Sequence, residues 1–145
     1  MTYIPSDPSL VLLAGSNIKS FRPFAPFDSI LCEFLQDISS ELIKRQESKT
    51  YPDIMAFGFW CRKANINKIK KMFEDGLFRL GLGLAFHITP SNVPVNFAFS
   101  FAFGLLSGNA NIVRAPYKSF PQVDVICEVI KTVFLHKKYA EIKNY

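Results

Sequence analysis

The chain has 145 residues, a net charge of +5 with pI near 9.2, and 15 phenylalanines within a hydrophobic content of 49%. That length suits one domain with a real core, and its scattered basic residues form no recognition helix or RNA-binding signature, which argues against nucleic acid as a partner. Cys32, Cys61 and Cys127, widely spaced in apolar sequence, exclude a disulfide frame or zinc site and read as buried thiols of a cytosolic protein.

The N-terminus lacks the basic start and apolar core of a signal peptide, so the expected location is cytoplasmic. Positive charge favours encounter with anions such as nucleotides or coenzyme A. Residues 1–9 are turn-like, and Leu10 to Ala14 suggests a short edge strand ended by Gly15-Ser16-Asn17. Residues 18–27, with Pro23, Pro26 and three phenylalanines, read as an extended segment lying on the body. The expected division is an N-terminal extended segment over 1–26 and a partial Rossmann-like nucleotide-binding domain over 27–145.

Asp28 or Ser29 can cap an amphipathic helix in which Ile30, Leu31, Phe34, Leu35, Ile38, Leu42 and Ile43 share a face, followed by a polar run from Gln46 to Thr50. A second helical stretch starts at Pro52-Asp53, with Ile54, Phe57, Trp60 and Cys61 inward. Asn65 interrupts or restarts it. Ile66, Ile69, Met72 and Phe73 then continue the pattern, Lys68, Lys70 and Lys71 face solvent, and Gly76 is placed to stop the helix.

Gly81 to Pro116 organises the chain, with no charged side chain before Arg114. An apolar run to Ile88 enters the turn Thr89-Pro90-Ser91-Asn92-Val93-Pro94. Val95 to Leu106 follows, then Ser107-Gly108-Asn109 and the run Ala110 to Val113. This reads as strand, polar loop, buried helix, tight turn and strand, one crossover unit of a parallel sheet with ligands expected beyond the strand ends. A membrane span is the competing reading of so long an uncharged stretch. Pro90, Asn92, Pro94, Asn96, Gly108, Asn109 and Asn111 leave only about 12 apolar-rich residues between polar punctuation, too few for a span. After a loop from Tyr117 to Phe120, Pro121 opens a helix carrying Val125, Ile126, Val129, Ile130 and Val133. The tail from His136 reads as ragged or capped by an absent neighbour.

The expected fold class is α/β, a three-layer Rossmann-like parallel sheet with helices, incomplete as it stands. Two parallel strands do not make a stable sheet, and both faces need cover. Either the early residues add strands, or this is the opening part of a larger protein.

Asn92, in a turn between strand and helix, could donate to an oxygen gaining negative charge, or simply cap or make an Asx-turn. Arg114, just past a strand, suits a ligand phosphate or ribose hydroxyl as well as an ordinary ion pair, and Lys118 is a weaker version of the same. His87 fits the strand pattern better as a core histidine than as a base. No Gly-x-Gly-x-x-Gly feeds a helix, and no cysteine follows an elbow-like turn. No metal site is expected.

Ile88-Thr89-Pro90-Ser91-Asn92-Val93-Pro94, then Ser107-Gly108-Asn109, then Ile112-Val113-Arg114-Ala115-Pro116 resembles the aldehyde dehydrogenase superfamily, whose signature runs I-x-P-W-N-F-P, A-G-N and a strand ending K-P-S. Ser91 for Trp, Val93 for Phe and Arg114 for Lys depart from ordinary aldehyde oxidisers. With Phe57 to Asn65 they look like the fatty acyl-CoA (acyl-protein thioester) reductases of bacterial bioluminescence operons. The resemblance spans about residues 54–135.

It implies an NADPH-dependent reduction of an acyl-CoA or acyl-protein thioester to a fatty aldehyde, with NADH the alternative cofactor. Asn92 matches the oxyanion-stabilising asparagine, and Arg114 the lysine contacting the adenosine ribose or its phosphate. Thr89, Pro90, Pro116 and Lys118 border the same cofactor edge. The loop from Pro116 to Pro121 is one residue longer than usual and lacks its Glu. The family's cofactor glycines, acidic residue and nucleophilic cysteine fall beyond the equivalent of Tyr145, and Cys127 matches none of them. The chain therefore reads as an N-terminal portion, inactive alone, whose partners are the thioester and either another copy or a complementary C-terminal chain. The alternatives are a noncatalytic α/β interaction module, one half of a split reductase, or a peripheral membrane protein with a Phe-rich surface.

Overall fold

A computed structural model describes residues 11–16 and 22–144. The described part of the expected edge strand, Val11 to Ala14, has no regular structure, and Val11 and Leu12 are exposed; Leu10 and residues 17–21 lie outside the described residues. Phe24, on the extended segment, donates from its backbone to Gly108 and accepts from Gly81, while Phe27 N–H donates to Leu106. Residues 22–27 are thus tied to the turn between the central helix and the second strand. Phe27 has φ 56°, an uncommon value for a bulky residue, at the bend into the first helix.

That helix, α1, runs Ser29–Lys44 and is capped by the Asp28 carboxylate, which accepts from Ile30 N–H at 3.1 Å. Its apolar stripe (Leu31, Phe34, Leu35, Ile38, Leu42) is wholly buried. The polar run read as a helix end is itself a short helix, α2 (Gln46–Thr50), folded back so that the buried Ser48 hydroxyl donates to Leu42 O at 2.6 Å. Helix α3 (Pro52–Trp60) starts at its proline, and α4 (Lys63–Met72) restarts after a break at Cys61-Arg62. Asn65 spans the break, its amide donating to Trp60 O at 2.8 Å. The helix ends before Gly76, and Met72 and Phe73, expected inward, are exposed.

Strand β1 (Leu84–Ile88), helix α5 (Asn96–Leu106) and strand β2 (Ala110–Arg114) form the expected crossover, with the strands parallel from Leu84 opposite Ala110 to Ile88 opposite Arg114. Helix α5 packs against both strands through Gly104, where a Cβ would collide with the Asn111 and His87 side chains. Gly108 holds φ 78° in the turn into β2, and a Cβ there would strike the Phe24 carbonyl that it passes. Only glycine meets both demands.

The main core is helical. Leu31, Phe34, Phe57, Leu105, Ile126 and Val129 belong to one buried cluster drawn from α1, α3, α5 and helix α6 (Pro121–Phe134), and Tyr139 joins it from the tail. The tail is ordered, contrary to expectation: two 3₁₀ turns, Lys137–Tyr139 and Ile142–Asn144, bury Tyr139 and Ile142. Tyr139 packs edge-on to Phe34 and bonds to Asp37, which fastens the tail to α1.

The three-layer expectation needs correction. Among the described residues the sheet has two strands, and α5 covers only one of its faces. Leu84, Phe86, Ile88 and Ile112 point to the other face and are exposed. The fold is α/β, with a small parallel sheet on the flank of a helical body. Among the described residues no early strand completes it: Phe24 and Phe27 donate to Gly108 and Leu106 around the turn, and not to a sheet edge.

Candidate functional site at the strand ends

Parallel pairing brings the carboxyl ends of β1 and β2 side by side, and with them the two loops that carry the sequence-predicted residues. Thr89, one residue past β1, donates its hydroxyl to Arg114 O at 2.9 Å. Pro90 and Asn92 are exposed on the turn leading to α5, and Arg114 and Lys118 are exposed on the β2 side. Pro116 is buried, which anchors the second loop.

Asn92 neither caps α5 nor makes an Asx-turn. The helix cap is Val95, with no side-chain capping bond, and the Asn92 amide has no hydrogen-bond partner among the described residues. Arg114 and Lys118 likewise form no ion pair among the described residues. Two cations and a carboxamide therefore stand open at one edge. Chemically, that set suits an anion or a polarised carbonyl oxygen.

The edge is open surface. Two clefts lie elsewhere, one beside α2 and α3 (Ser48, Pro52, Phe59) and one between α1 and α4 (Cys32, Gln36, Lys63, Lys70). No group of His, Cys, Asp or Glu suited to a metal occurs among the described residues.

His87 is a packing residue, as its place in the strand suggests. Its Nε2 is 2.9 Å from Asn111 Oδ1, and Asn111 donates in turn to Asn109 O at 2.7 Å. Asn109 accepts from Gly83 N–H at 3.2 Å. Asn109 and Asn111, read only as punctuation, thus stitch the two strands together beneath α5. The signal available for them was Gly104, the small residue that α5 needs to approach this polar pair.

The three thiols are buried. Burial pushes Cys61 far above the usual thiol range and Cys127 up to about 11. Cys32 is also raised by burial, partly offset by Lys70 and Lys63. None is poised as a nucleophile.

A family model for acyl-CoA reductase (LuxC) matches residues 64–138. That segment is just over half of the chain and contains the whole crossover unit with both of its loops. The chain belongs to the acyl-CoA reductase (LuxC) family. No curated protein and no solved structure matches it. For this LuxC-family chain, the matched segment takes in Asn92, Arg114 and the Thr89 link, while α1 to α3 lie before it. No helix among the described residues is long and apolar enough to cross a membrane.

Proposed function

We propose that this chain carries the oxyanion-stabilising and cofactor-edge portion of an NADPH-dependent acyl thioester reductase that yields a fatty aldehyde. The observation that carries the reading is the Asn92 carboxamide, open and unbonded among the described residues, on the loop that Thr89 fastens to Arg114. Membership of the acyl-CoA reductase (LuxC) family supports the reaction class.

In this reading Asn92 donates an N–H to the thioester carbonyl oxygen as it gains negative charge. Arg114 holds the ribose or phosphate of the nucleotide, and Lys118 adds a second positive charge nearby. Thr89 and Pro90 shape the first loop, and Pro116 anchors the second. NADPH, when bound, supplies the hydride that reduces the acyl carbon. The open edge and its unpaired cations fit a phosphate-bearing nucleotide. The raised thiols leave the role of acyl acceptor to a group other than Cys32, Cys61 or Cys127.

A second reading, an α/β interaction module, is favoured by the bare sheet face. Titration calorimetry of NADPH and NADH, beside NADPH oxidation with a panel of acyl-CoAs, separates the two. Nucleotide binding without multiple turnover is the expected result. Absence of binding to either nucleotide would favour the interaction module. Turnover that survives replacement of all three cysteines by serine would remove thiol chemistry from the assignment.

A further inference from the structure

We propose that Thr89 is a positioning residue, a latch that holds the Asn92 loop and the Arg114 loop in fixed relation so that one ligand can meet both. The inference deepens the reading of those two residues given above and rests on it. The ladder between β1 and β2 ends at the pair Ile88 and Arg114. Its end is written into the residues. Ala110 N–H donates to Gly83 O, and in a parallel pair every second residue of that strand donates in turn, through Ile112 and Arg114 to position 116. Position 116 is a proline, with no N–H to give, and Pro90 is equally unable to donate from the other chain. Past this point no ladder keeps the two loops in register.

The Thr89 hydroxyl ties the chains where the ladder stops, donating to Arg114 O at 2.9 Å. Among the described residues no hydrogen bond joins residues 90–95 to residues 115–120. The first loop is anchored where it enters α5, by the buried Val95, and the second by the buried Pro116. Neither anchor fixes one loop against the other. Alternation along β2 puts Arg114 on the side of Ile112, away from α5, whereas the Asn92 loop runs into α5. The two groups thus approach the sheet's end from opposite faces, and their separation depends on the strand ends staying in register. Threonine suits the task, because branching at Cβ restricts χ1 and little rotamer freedom is lost in aiming the hydroxyl. Its single proton is committed to a carbonyl of the protein, so Thr89 acts through the loops and not as a donor to the nucleotide.

Spin-label distances in the full chain, without nucleotide, test this. Val93→Cys and Ser119→Cys, both at exposed positions, put one label on each loop and leave Asn92, Arg114 and Lys118 in place. The native thiols are buried and stay unlabelled. A single narrow distance distribution is expected. Thr89→Val, which keeps the branched shape and loses the hydroxyl, should broaden it, as should Thr89→Ala, and Thr89→Ser should restore it. Circular dichroism at the same temperature should show each variant fully folded, which makes the broadening local. Calorimetry on the unlabelled chain should show NADPH bound roughly 2- to 10-fold more weakly in Thr89→Val, the worth of one neutral hydrogen bond, with Thr89→Ser at the parent affinity. A distribution unmoved by Thr89→Val, or one that Thr89→Ser fails to narrow, overturns the latch. So does an NADPH affinity indifferent to Thr89→Val. A parent chain that binds no nucleotide removes the cofactor-edge reading instead, and the label distances then decide the latch by themselves.

Discussion

The Thr89 hydroxyl donates to the Arg114 carbonyl oxygen at 2.9 Å, fastening the chain that leaves β1 to the chain that leaves β2. The bond uses the Arg114 backbone and leaves its guanidinium free of any ion pair among the described residues. Asn92 follows on the same loop three residues later. The link holds the candidate oxyanion donor and the candidate nucleotide contact to one edge of the sheet.

Arg114→Ala should weaken NADPH binding by about 10- to 150-fold, the worth of a charged hydrogen bond of roughly 1.5–3 kcal/mol. The loss should shrink at high salt, because an exposed phosphate contact is screened. Calorimetric titrations at two matched ionic strengths check both. Affinity unmoved by the substitution would remove Arg114 as a contact.

Gly104→Ala should destabilise the fold by roughly 1–3 kcal/mol, although alanine is the better helix former. Its methyl would meet Asn111 Oδ1 and His87 Nε2, forcing α5 away from the sheet and parting a 2.9 Å hydrogen bond. Urea denaturation measures the change. A neutral or stabilising result would contradict the close approach of helix and sheet.

Tyr139 and Asp37 should shape the two limbs of the stability–pH curve. The buried Tyr139 hydroxyl donates to Asp37 Oδ2 at 2.7 Å, and Lys138 Nζ lies 2.9 Å from the same oxygen, with His136 Nδ1 at 3.7 Å. Burial alone would raise Asp37, but the Tyr139 and Lys138 hydrogen bonds outweigh it and hold the carboxyl below its ordinary value. Its contribution is therefore complete above the unfolded pKa of about 3.9 and disappears as pH falls through the lower folded one. Tyr139 is raised, first by burial and then by Asp37. Its contribution is complete below about 10 and disappears as pH rises through the higher folded value. Asp37→Asn should flatten the acid limb. Tyr139→Phe should flatten the alkaline limb and cost about 1–2 kcal/mol at neutral pH. Melting temperatures across pH would reveal either limb unchanged if the pair does not form.

A thiol reagent should leave Cys32, Cys61 and Cys127 unmodified in the native chain and label all three in denaturant. Their burial and raised pKa values both suppress the thiolate. Rapid stoichiometric labelling of one native thiol would expose a reactive site where the fold shows none.

Local pattern was enough for the elements and the site's address. The spacing of Ile30 to Ile43 specifies α1, Pro52 and Pro121 mark helix starts, and the uncharged run from Gly81 to Val113 divides into strand, helix and strand at its polar punctuation. The same run places Asn92 and Arg114 beyond strand ends, because strand direction follows directly from chain order in a crossover. Only tertiary contact decided the rest. Whether Met72 and Phe73 face inward, whether the tail folds, and whether the sheet is central or marginal depend on what packs across many residues of separation. Tyr139 is ordered by Asp37, 102 positions away. Periodicity can say that a face is apolar, but not which distant segment reaches it. One face of this sheet received α5, and the other received nothing from the described chain.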